Sequence, residues 1–147
     1  MKSLYKFLLL RSHERRLLLK SLLLLWACWL GLKLLPFHTL RRLLEKLTSA
    51  RHIFSEGESA NVAKIVWALA VATRFVPATT CLTQAVVGQL LVAQQGEPAV
   101  LRIGVTKDEA GNLKAHAWVE SRGRIVIGDS RDLLLYTPLP PVQWELR

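Results

Sequence analysis

Two stretches rich in β-branched and alternating residues, Ala115 to Glu120 and Arg124 to Gly128, are separated only by Ser121-Arg122-Gly123. So short a connection between strands points to an antiparallel hairpin. With Arg122 and Gly123 in the loop, Ser121 pairs with Arg124 and Val119 with Val126. In unbroken register His116 then falls opposite Asp129. Directly opposed residues hold their Cβ atoms about 4.5–5.5 Å apart, within reach of an imidazole-to-carboxylate hydrogen bond. A one-residue slip or a Gly bulge would break that pairing, because side chains alternate between the two faces.

A third reactive group lies upstream. Cys81 precedes His116 by 35 residues and Asp129 by 48. Pro77 should stop one helix, and Thr79 or Thr80 can cap the next, which leaves Cys81 in a first helical turn. Unpaired amides and the positive end of the helix dipole there favour thiolate over thiol. His116 can accept the thiol proton and return it to a leaving amine, while Asp129 orients the ring and stabilises imidazolium. First-turn amides, that of Cys81 included, offer an oxyanion hole, and Gln84 one turn on is a side-chain candidate.

Each residue also has a plainer reading. A lone Cys is most often a small buried hydrophobe; the downstream His and Asp turn Cys81 toward chemistry. For His116 the alternative is a satisfied strand histidine, and for Asp129 a turn residue following Gly128. Asp132 competes for the third role but falls beyond the predicted strand. Trp118 shares the face of His116 under strict alternation and could shield the site, or simply pack.

The segments Val76-Pro77-Ala78-Thr79-Thr80-Cys81-Leu82, Leu101-Arg102-Ile103-Gly104-Val105 and His116-Ala117-Trp118-Val119-Glu120 resemble the leader peptidase of lasso-peptide biosynthesis, the peptidase half of the B protein. That family belongs with transglutaminase-like cysteine proteases. The resemblance covers about residues 60 to 130, and the leucine-rich basic helices before it look like the family's N-terminal region. It implies an α+β fold, with a papain-like or transglutaminase-like core in which a nucleophile helix packs on a small antiparallel sheet behind N-terminal helices. It implies removal of the leader from a ribosomally made precursor peptide, freeing the amine that an ATP-dependent macrolactam cyclase joins to a carboxylate. Cys81, His116 and Asp129 match the family's nucleophile, base and orienting acid. Some relatives begin with a strand-rich leader-recognition unit of about 80 residues. Residues 1–60 read instead as helices, so the resemblance implies the split form, served by a separate leader-recognition protein.

Length and an apolar content of 51% over 147 residues suit one compact unit with a sizeable core. Within it, 1–55 reads as a basic Leu-rich helical region and 56–147 as the peptidase core. Residues 1–60 carry eleven Lys or Arg against four Glu, and hold most of the +9 net charge. That surplus could meet an acidic partner, a leader peptide or a membrane surface, or form a solvated helix face. A pI near 10.2 permits a basic peptide-binding or nucleic-acid-binding module with an inert Cys81. The basic residues are scattered among leucines, however, and no nucleic-acid motif accompanies them. The same triad could also pass its acyl group to an amine, as a transglutaminase-like transferase does.

The most apolar run, Leu17 to Leu35, contains Lys20 and Lys33. Its uncharged twelve residues fall short of the roughly 20 needed to span a bilayer. A buried or interface helix is preferred, with peripheral membrane contact through the N-terminal helices left open; Pro36 should end it. Leu40, Leu43, Leu44 and Leu47 mark one face of a short helix. Ser55-Glu56-Gly57-Glu58 has capping-box spacing. Val62, Ile65, Val66, Leu69 and Val76 recur at helical spacing. Cys81, Ala85, Gly88 and Val92 form a small-residue stripe open to close approach by a strand. Gly96 and Pro98 close that helix, Val100 to Thr106 reads as a strand, Gly111 as a turn residue, and the Pro-rich tail from Tyr136 as extended over the core. With only Cys28 and Cys81, a disulfide would consume the nucleophile. A reduced, cytoplasmic setting fits, and nothing calls for a cofactor. His13, His38 and His52 lack metal-ligand spacing, and no phosphate loop is present.

Overall fold

A computed structural model describes residues 2–36, 38–40, 42, 43, 46, 62–77, 79–140, 145 and 146. The capping box at 55–58 and the positions Leu44 and Leu47 lie outside them. Helix α1 (Lys2–Leu8) leads into α2 (Ser12–Leu34), which stops two residues before Pro36. Helix α3 (Val62–Ala72) tightens into a 3-10 turn, Thr73–Phe75, before Pro77, and α4 runs from Cys81 to Gln94. Three strands follow, β1 (Ala99–Lys107), β2 (Leu113–Ser121) and β3 (Arg124–Ile127). Two short ones, β4 (Thr137–Pro138) and β5 (Glu145–Leu146), both line the outer edge of β1. The order β3-β2-β1-β4 is antiparallel throughout. The architecture is the expected α+β arrangement, helices packed on a small antiparallel sheet.

Helix α2 buries Leu17, Leu18, Ser21, Leu25, Cys28 and Gly31, a stripe at three- and four-residue spacing set against α3 and α4. Leu40 is buried on Gly31, where a side-chain carbon would stand 2.8 Å from its Cδ1; Leu43 is exposed. Leu22, Leu24, Trp29 and Leu32 pack partly buried against that core, whereas Leu19, Leu23, Trp26, Leu30 and Leu34 are exposed. By length and composition α2 could cross a membrane, yet one of its faces is committed to the core. Lys33 Nζ sits 4.2 Å above the Trp29 ring, a cation held on an aromatic face. Burial lowers the Lys20 pKa below the usual ammonium range.

Helix α4 is the centre of the core. Every residue from Ala85 to Ala93 is buried, because α2 and α3 cover one side and β1 and β2 the other. The small-residue stripe serves as expected: Ile127 of β3 packs against Gly88, in space that a larger residue would need. Gln89 Nε2 donates to the Ala99 carbonyl at 3.2 Å and ties the helix to the start of β1.

The hairpin forms, but its register departs from the expected one. Arg122 and Gly123 take positive φ values of 51° and 75°, the conformation of a two-residue loop matched to strand twist. Ser121 pairs with Arg124 as foreseen. A bulge then intervenes, so that Glu120 opposes Ile125 while Val119 opposes Ile127, not Val126. The reason is burial. Unbroken alternation would send Ile127 to the face away from α4, whereas the extra residue turns it onto Gly88 and Leu69. Burying an isoleucine side chain gains about 1.5–3 kcal/mol, more than the roughly 0.5–1.5 kcal/mol of a ladder hydrogen bond. The tail completes the sheet: Gly104 pairs with Pro138 and Val105 with Thr137, and the Leu139 amide donates to the Ile103 carbonyl at 2.8 Å.

Candidate active site

Cys81 is the first residue of α4. Thr80 is the cap: extended at φ −86° and ψ 161°, it accepts the Thr83 amide on its hydroxyl at 3.2 Å and the Gln84 amide on its carbonyl at 3.1 Å. Thr79 instead donates its hydroxyl to the Val76 carbonyl at 2.8 Å, closing the turn before the helix. The amides of Cys81 and Leu82, the first two of the helix, have no intrahelical acceptor and remain as donors for an oxyanion. Gln84 lies half-buried in the same turn. The Cys81 side chain is itself half-buried, packed at the margin of the helical core. Cys28, by contrast, is buried in α2, and burial pushes its thiol up to about 11.

His116 lies on β2, in register with Gly104 of β1. Its ring stacks on Trp118 at 6.2 Å and tilts against Tyr136 at 5.5 Å. Gly104 makes room for this cluster, since a Cβ there would stand 2.9 Å from the Trp118 ring and 3.0 Å from Tyr136 Cβ. Trp118 is buried and donates Nε1–H to Glu120 Oε1 at 3.0 Å; the other carboxylate oxygen faces Arg102 Nε at 3.5 Å. His116 Nε2 donates to the Gly128 carbonyl oxygen at 2.6 Å.

The level of Cys81 along the sheet follows from the connection between α4 and β1. Only residues 95–98 separate them, so the helix runs back along the strand that it precedes. Fourteen residues of helix measure about 21 Å, the length of about six strand residues at ~3.3 Å each. Counted from Ala99, that reaches the Gly104–Val105 end of β1, and Gly104 is the partner of His116. Cys81 and His116 therefore stand at a similar level along the sheet. They are not joined, however. Alternation puts Ala117 and Val119 in the core under α4 and turns His116, Trp118 and Glu120 to the other face, and among the described residues no hydrogen bond links Cys81 to His116.

Asp129 does not oppose His116. The bulge moves it out of register, β3 ends at Ile127, and Asp129 follows as an exposed loop residue. Among the described residues its side chain makes no hydrogen bond or ion pair. Asp132 is exposed before the 3-10 turn Leu133–Leu135, its amide donating to Ser130 Oγ at 3.3 Å. Two participants went unnoticed in the sequence. Tyr136 carried no signal, being separated from His116 by twenty residues of strand, turn and loop. The Gly128 carbonyl had one, a glycine at a strand end before a polar run, which marks a positive φ.

A family comparison matches residues 22–140, well over half of the chain, to the transglutaminase-like superfamily. The chain belongs to that superfamily. The transglutaminase-like match takes in Cys81, His116 and Asp129, and the fold is of the cysteine protease and acyltransferase type. Comparison with curated proteins and with solved structures gave no match.

Proposed function

We propose that the protein is a cysteine peptidase that removes the leader from a ribosomally synthesised lasso precursor peptide. It works with a separate leader-recognition protein and an ATP-dependent macrolactam cyclase. The observation that carries the reading is the presence, within a transglutaminase-like fold, of both a cysteine at a capped helix N-terminus and a histidine whose Nε2 is already engaged. The resemblance of the segments around Cys81, Gly104 and His116 to lasso leader peptidases supports the substrate class.

In this reading Nδ1 of His116 takes the Cys81 proton, and the sulfur attacks the carbonyl of the last leader residue. The amides of Cys81 and Leu82 hold the oxyanion. Collapse releases the core peptide's amine, protonated by the imidazolium, and leaves the leader as a thioester that water cleaves. The Asp129 carboxylate is the third member, stabilising imidazolium. Catalysis requires Cys81 and Nδ1, which stand on different faces here, to come within hydrogen-bond reach in the substrate complex.

The test is mass spectrometry of a precursor peptide incubated with this protein and its leader-binding partner. Cleavage that disappears in a folded Cys81→Ala variant is the expected outcome. Product carrying an added amine in place of water would assign the same thioester to an acyl transferase.

A further inference from the structure

We infer that the outward face of α2 is a membrane-docking surface, by which the protein lies along an anionic lipid bilayer. This does not depend on the peptidase reading. From Leu17 onward α2 is apolar on both faces, and a helix of that kind is ordinarily covered on every side. One face has its cover: Leu17, Leu18, Ser21, Leu25, Cys28 and Gly31 are buried against α3 and α4. On the opposite face Leu19, Leu23, Trp26, Leu30 and Leu34 recur at three- and four-residue spacing and stand exposed, Leu23 at 69% and Leu34 at 71%. They form one line about 22 Å long. Contiguous apolar surface left open in this way marks an interaction site.

The charges around the line identify its occupant. Residues 1–36 hold seven Lys or Arg against one acidic residue, Glu14. Its carboxylate is engaged at the start of α2, accepting the Arg11 amide at 3.3 Å. Arg16 is exposed about one turn before Leu19, Lys33 is exposed beside Leu34, and Lys20 is half-buried at the margin. Such side chains reach lipid phosphates while their stems run along apolar surface, and Trp26 is of the type enriched at headgroup level. In α1 the exposed Tyr5, Lys6, Leu8 and Leu9 repeat the pattern.

An apolar line bracketed by cations matches a layer of phosphates over hydrocarbon, which an interfacial helix enters to about 5–10 Å. A second copy of the chain would set the cationic excess against itself, and like charges oppose that contact. Crossing the bilayer would take α2 away from α3 and α4 and strip the core of its buried stripe. Lying on the surface keeps the fold intact. Because α2 lies across α4 from β1 and β2, docking leaves the sheet on the side away from lipid.

The experiment sediments the full chain with vesicles of phosphatidylcholine, alone or in equal mixture with phosphatidylglycerol. Binding to the mixed vesicles is expected, weaker by about fivefold or more on phosphatidylcholine alone and by about fivefold in Arg16→Gln. Leu23→Gln combined with Leu30→Gln should lower the partition coefficient about tenfold or more, with an unchanged melting temperature because both side chains are exposed. Quenching of tryptophan fluorescence by brominated acyl chains should diminish in Trp26→Phe. A parent protein that ignores anionic vesicles, or a double variant that binds them as well as the parent does, would overturn the inference. So would retention on the vesicles in alkaline carbonate, the behaviour of a spanning helix. If vesicles are ignored and the double variant instead blocks leader cleavage by soluble components, the face serves a protein partner; if it splits a dimer in sedimentation velocity, the face serves a second copy. Either result refutes the membrane assignment and leaves the catalytic reading standing.

Discussion

The two arms of the candidate site are built by different rules. The Cys81 arm is local: Pro77 ends one helix, Thr80 caps the next, and the cysteine is fixed by residues within four positions of it. The His116 arm is long-range. Its orientation depends on a bulge that exists because Ile127 must reach Gly88, on a glycine pressed against β2, and on Tyr136 arriving from the tail. A nucleophile can be positioned by a helix cap alone, whereas its base must be positioned by the core.

If so, the His116 arm should break through core substitutions. Ile127→Ala removes the residue whose burial sets the register, and loss of a buried isoleucine costs about 2–5 kcal/mol. Urea denaturation should show that loss, and the His116 ring should lose its single environment by NMR. Gly128→Ala should follow, with about 1–2 kcal/mol of left-handed backbone strain increased by the contact with the Ala117 carbonyl. A drop in melting temperature with an altered His116 tautomer is expected; full stability would mean that the close approach is absent in solution.

The Cys81 arm should yield to a smaller, local change. Thr80→Ala removes the cap and should cost about 1 kcal/mol, with faster exchange of the Thr83 amide and no change in the hairpin. The two cysteines should also separate chemically. At pH 8 iodoacetamide should modify Cys81 alone, because burial holds Cys28 as a thiol until about pH 11.

The smallest effect belongs to the β1–β2 turn, remote from both arms. The Asn112 amide donates to Asp108 Oδ1 at 2.8 Å and holds that carboxyl below its usual range. A lowered folded pKa means stabilisation present above the unfolded value, about 3.9, and lost as pH falls through the folded one. Exchange of the Asn112 amide should therefore quicken, relative to its neighbours, only below about pH 4.

Local signals carried most of the fold. A breaker ended α3, a cap and a breaker delimited α4, alternation marked β1 and β2, and Gly111 and Gly123 marked turns, since each acts within a few residues. The sequence also brought His116 and Trp118 to one face, because alternation within a single strand is a local property. The pairing of His116 with Asp129 failed where burial overrode the ladder: nothing in Arg124-Ile125-Val126-Ile127 says which isoleucine must reach α4. The outward apolar face of α2 illustrates the same limit, since composition fixes how apolar a helix is and not how much of it the core will cover.

The central claim is a covalent one, that Cys81 carries the leader as a thioester. Intact-mass analysis of an acid-quenched reaction with the precursor and leader-binding partner should reveal an adduct of leader mass less water on Cys81. It should be discharged by hydroxylamine and absent in Cys81→Ala. Leader cleavage that proceeds undiminished in Cys81→Ala would contradict it.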